Sequence, residues 1–339
     1  MCVIVFISIF SWLYGHEFFE YSAQTSQYQT DFSQNQKSLE QFSLWDIAYV
    51  SDITLYATPS LELESQLLTW IDAAQDQVLL EVYLFTKSSI QQALIRAHNR
   101  WVQVQVILEK NPYKAYNLNN KHFRLLQEAG IDIVWSNPKN YSLNHAKLLL
   151  IDQRAIVSTG NMTHSLFTKN RDLILVTQDE DIRQQLHQVF QADFSGKLVS
   201  ISHPNIVISP DNSRHKLATL IGQAEDSLKM YFQYIQDDTM QDLLISRAKQ
   251  GLDIELIVSK NTYMDQQEQM QSLESHGIAV SYTSPDIMHA KAILVDEQYL
   301  FIWSVNFSSY SLDSNREIGL VFQNDALIQD FLELFEKDF

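Results

Sequence analysis

The sequence predicts an α/β protein built as two tandem, similar lobes, and three observations carry that prediction. A pattern occurs twice, as His145-Ala-Lys147-Leu-Leu-Leu-Ile-Asp152 and as His289-Ala-Lys291-Ala-Ile-Leu-Val-Asp296. Before each copy, the same alternation of short apolar strands and amphipathic helices unfolds. The offset between matching segments drifts only from about 150 residues early to 144 at the histidines. Such alternation favours parallel strands flanked by helices.

In chain order, Met1 to Tyr14 is almost wholly apolar and lacks Lys or Arg, the first of which is Lys37. At about 1.5 Å per residue, a helix of this length falls short of the ~30 Å hydrocarbon core. Three readings stay open for residues 1–15: an export signal or signal anchor, a membrane helix shortened by a misassigned start, or a buried or interfacial segment. Membrane association or export through this segment is the expectation. Residues 16–50, rich in Gln, Ser and Tyr, read as a polar tether.

The first lobe is expected over 51–195. It opens with Leu55–Pro59 and a helix whose inward face is Leu61, Leu63, Leu67, Leu68 and Ile71. A strand Val78–Phe85, a helix opening at Ser88 or Ser89, a strand Val102–Leu108, a helix closing at Gly130 and a strand Ile131–Trp135 lead to His145. The second lobe, 196–339, repeats the series with Ile206–Pro210, a helix through Leu217, Leu220, Ile221 and Ala224, Leu228–Tyr234, Leu252–Val258, a helix ending at Gly277, and Ile278–Tyr282. The acidic run Asp179-Glu180-Asp181 reads as a helix start.

Composition narrows the function. Apolar residues are 45% of the 339, which excludes a disordered chain. The formal net charge of −17 argues against a protein whose main task is holding nucleic acid, although it leaves room for a locally positive cleft. One cysteine, Cys2, excludes an internal disulfide and a multi-cysteine metal site.

The repeated motif carries chemistry. In an extended strand positions i and i+2 share a face, so His145 points with Lys147 and His289 with Lys291. A neutral imidazole beside an ammonium suits attack on an anionic centre, and two such pairs together can clamp a phosphodiester. Asp152 and Asp296 stand five residues past the lysines, off that face, and read as structural groups that bond the backbone or a neighbouring side chain at the strand ends, with direct proton transfer as the lesser reading.

With its two HxKxxxxD motifs the chain resembles the phospholipase D superfamily over both halves. The resemblance implies two α/β/α lobes related by a pseudo-two-fold axis, each with a mixed or parallel sheet. It makes His145 a nucleophile that forms a phosphohistidine and His289 the acid that protonates the leaving alkoxide, then the base that activates water or an alcohol. Lys147, Lys291, Asn161 and Asn306 would bind the phosphate oxygens. Asp172 and Glu317, in Asn170-Arg171-Asp172 and Asn315-Arg316-Glu317, would each orient the histidine of the same copy. Two departures stand out. Asn161 comes nine residues after Asp152, whereas Asn306 comes ten after Asp296, which predicts a tighter turn in the first copy. Trp303 stands where the family prefers glycine and is expected to narrow the cleft or line it with apolar surface.

No metal or other cofactor is expected, because two ammonium groups already supply the positive charge. The expected partner is a phospholipid at a membrane surface, with water or an alcohol as acceptor, handled by a monomer because both motifs lie in one chain. Cardiolipin synthase-type phosphatidyl transfer, a metal-independent nuclease and an inactive phosphate- or lipid-binding module are the alternatives.

Overall fold

Each half of the chain builds a seven-stranded sheet, and the two sheets have the same strand order. In the computed structural model, which describes residues 42–283 and 288–339, the first sheet comprises β1 (Ile53–Ala57), β2 (Gln77–Val82), β3 (Gln103–Leu108), β4 (Asp132–Trp135), β5 (Lys147–Ile151), β6 (Arg154–Ser158) and β7 (Leu173–Thr177). Their order is β1-β7-β6-β5-β2-β3-β4. The second comprises β8 (Ile206–Ser209), β9 (Ser227–Tyr231), β10 (Asp253–Ser259), β11 (Ala279–Thr283), β12 (Ala292–Val295), β13 (Tyr299–Trp303) and β14 (Glu317–Phe322), ordered β8-β14-β13-β12-β9-β10-β11.

Both sheets are mixed. The trio β2–β3–β4 is parallel, joined through helices Ser88–Asn99 and Asn120–Glu128. Strands β5, β6, β7 and β1 run antiparallel to their neighbours. The change of direction follows from the connections: β5 and β6 are separated by Asp152 and Gln153 alone, and a two-residue link can only return a strand antiparallel. The one-residue offset between the copies falls in this hairpin. Ile151 pairs with Arg154 across two residues, whereas Val295 pairs with Tyr299 across three.

Each sheet is covered on both faces, so its strands read as continuous apolar runs. In the first lobe Val78, Leu80, Val82, Leu149 and Ile151 face the helices Leu61–Ala73 and Ser88–Asn99. The alternate residues Leu79, Ile107, Leu148 and Leu150 join Ile257, Leu294, Ile302 and Leu320 of the second lobe in one shared core. The two lobes thus close over a common apolar layer. That layer sets the ends of β5 and β12, where the motifs begin, beside each other.

The helix expected at the acidic run is Glu180–Ser195, with the Asp179 carboxylate capping the Ile182 N–H at 3.0 Å. Of the stretch expected as a tether, residues 43–50 are docked on the second lobe. Ala48 exchanges backbone hydrogen bonds with the Asn205 amide, and the Asn324 amide donates to the Val50 carbonyl. The apolar segment 1–15 and the tether to residue 41 lie outside the described residues. Among the described residues no helix is long and apolar enough to cross a membrane, which corrects the expectation of membrane association or export through an apolar segment.

Trp303 also corrects an expectation. It is fully buried between Phe232 and Phe301, inside the second lobe and not on a cleft wall. Its strand partner is Gly319, where an added Cβ would lie 2.3 Å from the Trp303 Cβ. The equivalent pair in the first lobe is Ser158 with Ile174. A large-small pair in one copy is exchanged for a small-large pair in the other, conserving core volume.

Candidate active site

The two motifs meet through a backbone seam between the lobes. The His145 N–H donates to the Arg316 carbonyl at 2.8 Å, and the His289 N–H donates to the Arg171 carbonyl at 3.0 Å. Parallel bridges Asn144–Arg316 and Arg171–Met288 extend each contact. Because Arg171 and Arg316 immediately precede the two acidic candidates, the seam delivers each carboxylate to the histidine of the opposite lobe. His145 Nδ1 lies 2.8 Å from Glu317 Oε2, and His289 Nδ1 lies 2.7 Å from Asp172 Oδ1. The expected pairing within one copy is therefore exchanged.

Each carboxylate has a second fixed partner. The Thr159 hydroxyl donates to Asp172 Oδ1 at 2.7 Å and accepts from the Leu173 N–H; the Ser304 hydroxyl donates to Glu317 Oε2 at 2.6 Å and accepts from the Ile318 N–H. Thr159 and Ser304 were not singled out from the sequence, yet each is a hydroxyl residue two positions before Asn161 or Asn306. That shared placement was the available signal. The Asp172 and Glu317 side chains are 0% exposed, whereas the His145 and His289 side chains retain 11% and 19%. Acids beneath and imidazoles towards solvent is the layering that fixes a ring's Nδ1–H and leaves Nε2 for chemistry.

Burial governs the protonation states. It lowers His145 to about 4, against the opposing pull of Glu317. His289 is lowered by the same cause, opposed chiefly by Asp172. Burial pushes Asp172 upward, but the His289 imidazole, Lys291 and the Thr159 hydroxyl outweigh it and hold the carboxyl below its ordinary value. Lys147 and Lys291 are buried, each ammonium bonded to the carbonyl of its own motif histidine, and burial lowers both, Lys291 to about 8. The two ammoniums also act on one another across the seam. Four cationic or potentially cationic groups confined around two carboxylates form a site for an anion.

Since both histidines bind a proton less readily folded than unfolded, the unfolded chain gains protons first as pH falls. The histidines' contribution to stability should be fully present above about pH 6.5 and decline towards pH 4. Melting temperatures of the native protein and of His145→Gln, followed from pH 7 to 4, check this: the variant should lose less over that window.

Asn161 and Asn306 follow the hydroxyl residues on the loops after β6 and β13. Asn161 Oδ1 accepts from the Leu84 N–H at 3.2 Å, which leaves its amide nitrogen for a ligand. Asn306 Oδ1 is buried without a protein hydrogen-bond partner. His164, by contrast, is exposed at the start of the helix His164–Thr168.

Asp152 and Asp296 lie away from the imidazoles. The Asp152 carboxylate accepts from the backbone N–H groups of Gln75, Asp76 and Gln77, each at 3.0 Å. Asp296 does the same for Glu225, Asp226 and Ser227 at 2.8–2.9 Å. Both hold φ near +50°, a left-handed turn that an aspartate tolerates better than most residues. They tie the hairpin after each motif to the start of the neighbouring strand. Replacing Asp152 by Ala leaves three N–H donors to water and should cost about 1–3 kcal/mol in denaturant unfolding.

The fold and this site define a class: a two-lobed α/β protein whose duplicated His-Lys strands converge at the lobe interface. The chain belongs to the family described as "Cardiolipin synthase, PLD-like domain", whose model matches residues 67–194 and 217–339. It is 24% identical to cardiolipin synthase 1 of Bacillus anthracis, over 81% of this chain and 64% of that protein. It is 21% identical to a polyphosphate kinase of Klebsiella pneumoniae, over 76% of this chain and 40% of that one. The chain thus spans less than two thirds of these relatives. The crystal structure of phosphatidylserine synthase from Haemophilus influenzae Rd KW20 has the same fold, with TM-score 0.69, 12% identity, and coverage of 90% of this chain and 89% of that one.

Proposed function

We propose that the chain is a phospholipase D-type phosphodiesterase that cleaves or transfers the phosphatidyl group of a phospholipid through a phosphohistidine. The observation that supports this most is the crossed pair of buried carboxylates, each orienting one imidazole through Nδ1, with two buried lysines whose charges act on both carboxylates. His145 Nε2 attacks phosphorus, and the P–O bond to the leaving alkoxide breaks as His289 delivers a proton to that oxygen. Lys147, Lys291, Asn161 and Asn306 hold the equatorial oxygens as negative charge grows on them. Water or an alcohol, deprotonated by His289, then displaces His145 and carries the phosphatidyl group away. A bound phosphodiester anion favours the imidazolium form of the acid partner, which offsets the effect of burial on His289.

Phosphatidyl transfer is preferred to nucleic-acid cleavage because the family model is that of cardiolipin synthase and the chain carries a net charge of −17. The test uses the purified chain in chelator with phosphatidylglycerol vesicles and, separately, with single-stranded DNA. Glycerol release or formation of a diphosphatidyl product is expected. DNA shortening without lipid turnover would replace the lipid reading with the nuclease, and chelator sensitivity would refute the metal-free scheme. Inactivity towards both, with vesicles still bound, would indicate a binding module.

A further inference from the structure

The two histidines have matched carboxylate partners, yet their aromatic surroundings differ. Against His145 stands Tyr83, with ring centroids 4.7 Å apart and planes at 65°. The Lys147 ammonium lies 5.4 Å from the centroid of the same tyrosine ring. Tyr83 follows β2, and the corresponding place after β9 is held by Gln233, at the early offset of 150 residues. Both are half-buried. The symmetric frame thus has an aromatic wall on the His145 side and an amide side chain at the matching position of the other lobe.

We infer that Tyr83 is a positioning residue that makes the two histidines chemically unequal, holding His145 in the neutral form a nucleophile needs. The inference deepens the proposed phosphodiester chemistry and rests on it for its kinetic consequence. Its physical basis is local. The groups acting on His145 are the Glu317 carboxylate, which favours imidazolium, the Lys147 and Lys291 ammoniums, which oppose it, and the ring of Tyr83. The ring takes the place of water beside the imidazole and so removes solvation that a cation would need. The Lys147 ammonium held against the same ring repels a second positive charge on His145 directly. The hydroxyl is directed away from this role and stays protonated. Burial raises it to about 12, and it sits 3.5 Å from the Tyr113 carbonyl.

Histidine NMR titration of the full chain tests this without any substrate. Tyr83→Phe should leave the His145 midpoint unchanged, because the ring remains. Tyr83→Gln should raise it by about one pH unit, and Gln233→Tyr should lower that of His289. With phosphatidylglycerol vesicles, the acidic limb of kcat/KM should move upward with the midpoint in Tyr83→Gln and stay in place in Tyr83→Phe. Unmoved midpoints in both Tyr83→Gln and Gln233→Tyr, with only the melting temperature changed, would reduce Tyr83 to packing and overturn the inference. If the midpoints move as expected but no form turns over a phosphodiester, the proposed function fails and the electrostatic role of Tyr83 stands.

Discussion

Replacing His145 with alanine is expected to lower phosphodiester turnover by about 10⁴- to 10⁶-fold, the loss typical when a covalent nucleophile is removed from a site whose residues act as a unit. The fold should survive. Glu317 keeps the Ser304 hydroxyl at 2.6 Å, and its charge still faces the Lys147 ammonium. A native circular-dichroism spectrum beside absent turnover is the expected pair of results, and an active variant would remove His145 from the mechanism. The companion substitution separates the two roles. His289→Ala should recover much of its first step on a p-nitrophenyl phosphodiester, whose leaving group departs without a proton, whereas His145→Ala should not. Recovery in the opposite variant would exchange nucleophile and acid.

The second large effect is on stability. Arg316 is 2% exposed and sits in a buried cage. Its guanidinium contacts Asp193 at 2.9 Å, Asp211 at 3.1 Å and the Ser209 carbonyl at 3.1 Å, and it lies 5.0 Å from the centre of the Tyr141 ring. Glu81 joins this cluster, its carboxyl raised well above the ordinary value by burial and by Asp193. Arg316→Ala would leave the Asp193 carboxylate buried without its cation and should cost about 3–5 kcal/mol in denaturant unfolding. Arg171, the counterpart in the first lobe, pairs with Asp338 at 2.7 Å, but the two side chains are 20% and 10% exposed. Arg171→Ala should therefore cost clearly less. Equal losses would show that burial does not set the difference.

These arginine pairs also show what was hidden in the sequence. The offset of 145 residues links Arg171 to Arg316, Asp172 to Glu317 and Asp193 to Asp338. It reveals which positions are equivalent, but it does not say whether equivalent groups pair within a copy or between copies. Asp193 and Asp338 come from the last helix of each lobe, and each reaches the arginine of the other. The hydroxyls of Thr159 and Ser304 were likewise visible as residues and invisible as partners, since nothing local distinguishes a hydroxyl that holds a carboxylate from one that faces water.

Local order was legible because it depends on near neighbours. Alternating or continuous apolar runs, capping residues such as Asp179, and the two-residue spacing of His145 and Lys147 each act within a few residues, so reading along the chain recovers the lobes, most of the strands and the motif faces. The crossed assembly was decided in three dimensions. His145 and Glu317 are 172 residues apart, and His289 and Asp172 are 117 apart. Which carboxylate meets which ring depends on how two apolar sheet faces dock and on the backbone seam that docking permits. The same holds for Trp303, whose burial was set by the room Gly319 leaves across the strand pair. Pairings of that range arise from the packing of whole lobes, a property that no single segment carries.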